Sequence, residues 1–137
     1  MCIDSIAQSK AVAVEASKEN EAEKIKDLAQ SDPKAAAKLV MTLPEGDVRS
    51  NAIFNAVSIW VAKSPSEAVK LTMELFDGKN RNFAISCAAM LWARKSPESA
   101  KNWVMQLPEG ADRNSAISGL TPGWAQNFPE DAAKWVI

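Results

Sequence analysis

Three arginines, Arg49, Arg81 and Arg113, stand 32 residues apart, each near the start of a segment that reads as a helix. A guanidinium carries five N–H donors in a rigid fork, suited to a carboxylate, a phosphate or a cluster of backbone carbonyls. In the first turn of a helix a cation is disfavoured by the macrodipole by about 0.3–1 kcal/mol. Something must offset that cost in every copy. One candidate is the acid four residues upstream (Glu45, Asp77 or Glu109), together with the free carbonyls that end the preceding helix. Under that reading each arginine is a clamp that fixes the angle of a helical hairpin, and this is the expectation. The other reading is a ladder of anion-binding arginines.

Other chemistry finds little material. The 137 residues contain no histidine, which removes the commonest general base and the commonest metal ligand together. Cys2 and Cys87 are the only cysteines. Their spacing suggests neither a disulfide framework nor a metal site, and no histidine exists to activate Cys87 as a nucleophile. Phosphate-cradling glycine loops, metal-ligand clusters and pairs of carboxylates assignable to a cleft are all missing. The sequence therefore points to a protein that is not an enzyme and uses no cofactor or metal. Net charge is −1 with acids and bases interleaved, so no basic stripe is available for nucleic acid. No apolar run approaches the roughly 20 residues of a membrane span. The start lacks the regions of a signal peptide, so a cytoplasmic protein is expected; Met1 before Cys2 leaves open a lipid-anchored form whose signal was removed.

The elements that position these residues follow from a repeat. Pro33, Pro65, Pro97 and Pro129 share the 32-residue period, as do Ala36, Ala68, Ala100 and Ala132. Trp60, Trp92 and Trp124 form another column, and Gly46, Gly78 and Gly110 another. "LPEG" occurs in the first and third copies, and the second reads "LFDG". Each unit reads as two helices. The first starts at Ser-Pro or Asp-Pro, an N-cap followed by proline where its missing N–H costs nothing, and Ser64 with Glu67 fits a capping box. Ala36, Leu39, Val40 and Leu43 make its apolar stripe. A glycine in a left-handed turn follows. The second helix, from about Val48 to Ala62, has the stripe Ala52, Ile53, Ala56, Val57, Trp60 and Val61.

One such hairpin cannot bury its own apolar face, but a stack can. The predicted fold is all-α, a right-handed α-solenoid of stacked antiparallel helical hairpins forming a single domain over residues 1–137. Residues 1–31 are degenerate N-terminal helices, 32–63, 64–95 and 96–127 are three repeats, and 128–137 is the first helix of a fourth.

This pattern resembles the helix-turn-helix repeats of the tetratricopeptide class, though it lacks their 34-residue period and their Tyr and small-residue positions. It is more similar to short tandem repeats of the form W-A-x-x-D/S-P-x-x-A-x-x-W/L-x-x-x-L-P-x-G-x-x-R-x-x-A in uncharacterised bacterial proteins, over residues 32–137. The resemblance implies a repeat fold and, by analogy, binding of a protein or peptide; it implies no activity.

Several features have a bland and a functional reading. All five tryptophans fall in the repeat frame, so Trp60, Trp92 and Trp124 are expected in the core rather than on a binding surface. Met41, Met73 and Met105 lie off the main stripe, and packing against the next repeat is favoured over an adaptable groove. Pro122, between Gly119 and Gly123, predicts a kink or an early helix end. The sharpest hint comes where the copies differ. Opposite the buried stripe the first copy has Asn51, Asn55 and Ser58 and the third has Ser115, Gly119 and Pro122. The second has Phe83, Cys87 and Met90, followed by Arg94, an apolar patch where solvent is expected. Its contact is a partner, a second copy of the chain or the chain's own N-terminal segment. The apolar end Trp135, Val136, Ile137 suggests a piece of a longer array or burial in a homo-oligomer. The expected function is a non-catalytic protein-interaction or scaffolding module centred on Phe83, Cys87, Met90 and Arg94. The alternative is a structural, self-associating segment with no dedicated ligand.

Overall fold

A computed structural model describes residues 20–127. Within them the protein is all-α, seven helices with no strand: α1 (helical over 20–31), α2 (Pro33–Met41), α3 (Asp47–Lys63), α4 (Pro65–Leu75), α5 (Gly78–Lys95), α6 (Pro97–Gln106) and α7 (Ala111–Asn127). Trp124 contributes only backbone to this description, and residues 1–19 and 128–137, with Trp135, Val136 and Ile137, lie outside it.

The short first helices start where the sequence places proline. Asp32 accepts a hydrogen bond from the Ala35 amide at 3.3 Å, and the Ser64 hydroxyl accepts one from Glu67 at 3.5 Å. The capping box expected at Ser64 is only half made, because the Glu67 carboxylate lies 3.8 Å from Lys70 instead of reaching back. Ser96 caps nothing; its hydroxyl donates to that of Ser99 at 3.0 Å.

The turns differ between copies. Gly46 and Gly110 precede their helices at φ 114° and 149°, conformations that a side chain strains. In the second copy only Phe76 and Asp77 separate α4 from α5, and Gly78 is already helical at φ 54°. The reason is Phe76, which replaces the exposed Pro44 and Pro108 of the other copies. It is buried and sets its ring 6.2 Å from that of Trp60, pulling the turn inward.

Among α2–α7, each helix touches only helices one or two places away along the chain. α2 pairs with α3, α4 with α5 and α6 with α7, while the second helices of successive hairpins meet as α3 on α5 and α5 on α7. The core has two parts. One spans α1–α5 around Ile25, Val40, Ile53, Val57, Trp60 and Phe76. The other joins α5, α6 and α7 around Ile85, Val104 and Leu120. Trp92 and Trp103, their rings 5.5 Å apart, pack between the two.

Proline at position 122 does not end α7, which continues to Asn127. The carbonyl that loses its donor belongs to Ser118, which is exposed to water, so the missing bond is tolerated. One residue earlier the Thr121 hydroxyl donates to the Ile117 carbonyl at 2.6 Å.

Candidate interaction site on the second helices

The three arginines do different things. Arg49 donates from Nε and Nη2 to the Leu43 carbonyl, at 3.0 and 2.7 Å, and from Nη2 to that of Met41 at 3.3 Å. Its Nη1 lies 3.5 Å from Glu45. This is the clamp expected from sequence: the carbonyls at the negative end of α2 offset the cost of a cation at the positive end of α3. Arg81 does not take Asp77. It makes a two-pronged pair with Asp112 of α7, Nε to Oδ1 at 3.0 Å and Nη2 to Oδ2. In this copy α4 runs on to Leu75, the counterpart of Leu43, where α2 stops at Met41, and the second arginine ties one hairpin to the next. Arg113 is half-buried and makes no hydrogen bond or ion pair among the described residues.

The positions read as a solvent-facing patch are distributed differently. Asn55, Cys87 and Gly119 share one repeat column. Asn55 lines a groove against Ala22 and Ile25 of α1. Cys87 is 5% exposed and belongs to the core shared with α1–α4, so it is not a surface residue. At Gly119 a Cβ would lie 2.0 Å from the Ser86 carbonyl oxygen of α5. The column thus points at the preceding second helix. Reading the face opposite the hairpin partner as solvent overlooked that second helices pack on one another. Burial also pushes the Cys87 thiol up to about 11, which removes it as a nucleophile at neutral pH.

Phe83 is 39% exposed, Met90 half-buried and Arg94 exposed, all on α5. With Cys87 buried between them, the patch contracts to two separate parts. Phe83 borders a cleft of about 250 Å³ formed with Glu45, Gly46, Arg49, Ser50 and Ile53 on one side and Lys79 and Asn80 on the other. Sequence reasoning found Phe83 but missed Lys79, one turn away on the same helix; the i, i+4 spacing was the available signal.

Of the remaining columns, Trp60 is buried and its Nε1 donates to the Ala29 carbonyl at 2.9 Å, as a core tryptophan should. Trp92 is half-buried. Met41 and Met73 pack against the two core parts, whereas Met105 is 53% exposed. A further periodic contact was not read from sequence. Lys63 donates to the Gln30 carbonyl at 3.4 Å and Lys95 to that of Ala62 at 3.2 Å, each capping the C-terminal end of the preceding second helix. Among the described residues there is no group of side chains able to hold a metal ion, and no helix is long and apolar enough to cross a membrane.

The molecule defined by these features is an all-helical protein whose hairpins are joined second helix to second helix. No family model, no curated protein and no solved structure matches the chain, so no match supports a tetratricopeptide-like assignment.

Proposed function

We propose that the chain is a right-handed α-solenoid segment acting as a non-catalytic protein-interaction module, with Phe83 at the centre of its contact surface and Met90 and Arg94 forming a separate, second part of it. The solenoid reading is supported by strictly local helix contacts and by the lysine caps that recur one repeat apart. The single observation carrying the functional reading is an aromatic ring left 39% exposed beside a cleft between α3 and α5. Aromatic anchors of this kind supply much of the affinity in protein interfaces.

The test is capture from a lysate of the source organism, comparing wild type with Phe83→Glu after confirming that both melt alike. A protein retained by the wild type and lost by the variant is the expected result. Equal retention by both contradicts this surface.

A further inference from the structure

The Phe83 cleft also carries chemical information about its occupant. Resting on the interaction reading above, we infer that the cleft takes an extended segment of a partner protein bearing a carboxylate side chain and a large apolar side chain two positions apart.

The argument begins with charge. Of the two cations lining the cleft, Arg49 is committed to the Leu43 and Met41 carbonyls and to Glu45. Lys79 is exposed and makes no hydrogen bond or ion pair among the described residues. With Glu45 leaning on Arg49, the uncompensated charge of the cleft is the Lys79 ammonium, and its complement is a carboxylate. The apolar wall is the accessible part of Phe83, with the buried Ile53 at the floor of the cleft.

Spacing supplies the second constraint. Lys79 and Phe83 are four residues apart on α5, so they share a face and lie about 6 Å apart along the axis at 1.5 Å per residue. Alternate residues of an extended chain point the same way and lie about 6.6 Å apart. An acidic residue, any residue and an apolar residue therefore match the lysine and the phenylalanine in register. The side chains of Ser50 and Asn80, half-buried in the cleft and without a hydrogen bond among the described residues, offer hydroxyl and amide groups to the backbone of such a segment.

The test uses the full chain as bait for a phage-displayed library of random twelve-residue peptides. Enrichment of Asp or Glu two positions from a large apolar residue, on either side, is expected. A synthetic peptide of that sequence should bind at least tenfold more weakly to Lys79→Glu and to Phe83→Ala, and unchanged to Lys34→Glu on α2. Selection against Lys79→Glu should in turn enrich Lys or Arg at the acidic position. Peptides without an acidic preference, affinity indifferent to Lys79→Glu, or no enrichment at all would each overturn the inference. The interaction reading is judged separately: captured protein lost with Phe83→Glu alongside an empty peptide selection means a folded partner on the same surface.

Discussion

The junction between α3 and α5 and that between α5 and α7 occupy the same place in the repeat, yet they are built differently. On α7 the column residue is Gly119, and the α5 backbone at Ser86 comes so near that no side chain fits between. The Ser86 hydroxyl donates to the Ser115 carbonyl of α7 at 2.9 Å, and Arg81 reaches across to Asp112. At the α3/α5 junction the column residue is Cys87, a buried side chain, and no ion pair between these helices occurs among the described residues. Beside it lies the Phe83 cleft. One residue per repeat thus governs how closely successive second helices approach. The tighter seam is closed by backbone, and the looser one keeps room for an accessible aromatic ring.

The largest expected effect tests how the N-terminal side of this arrangement is held. Trp60→Ala removes a buried indole and its bond to Ala29, and should cost about 3–5 kcal/mol in chemical denaturation. Trp92→Ala, at a half-buried ring, should cost clearly less; equal costs would erase the asymmetry between the two sides. Next, Asp112→Asn weakens the α5/α7 pair. Because both side chains are about a third exposed, at 33% and 32%, a loss of about 1–2 kcal/mol is expected. Arg81→Lys should lose a similar amount, since an ammonium cannot reproduce the fork.

Smaller still is Asn55→Leu, facing the groove against α1, expected within about 0.5 kcal/mol of wild type by thermal melting. At neutral pH the Cys87 thiol is protonated in the folded and the unfolded chain alike, so stability there does not vary with its titration. Its proton is held more tightly in the folded state than in the unfolded chain, so its contribution is whole below pH 9.0 and is lost as pH rises toward about 11. Thiol labelling at pH 8 should therefore be slow in the native protein and fast in denaturant; rapid native labelling would place Cys87 at the surface.

Much of this architecture was legible in the sequence because its signals are local. Proline after Ser or Asp marked the starts of α2, α4 and α6, and the stripe from Ala52 to Val61 marked the buried face of α3. The Arg49 clamp was legible too, since a cation at a helix start demands an acceptor close in sequence. What escaped depends on contacts between repeats. Nothing near Arg81 indicates Asp112, which lies 31 residues on. Phe76 stands where the other copies have the turn prolines, and its burial depends on Trp60 of the preceding hairpin. Cys87 looked exposed because helical spacing identifies a face without saying what covers it. The early helix end that Pro122 allowed does not occur, because the affected Ser118 carbonyl lies at the surface, where water replaces the lost donor.

The most direct test of the junction account is the stability of Gly119→Ala. On helix propensity alone, replacing a glycine inside a helix by alanine stabilises by up to about 1 kcal/mol. If Gly119 is the point where α5 and α7 touch backbone to backbone, the added Cβ must force them apart, and a loss of about 1–3 kcal/mol is expected. A variant as stable as wild type, or more so, would contradict the claim that this column sets the spacing of the helices.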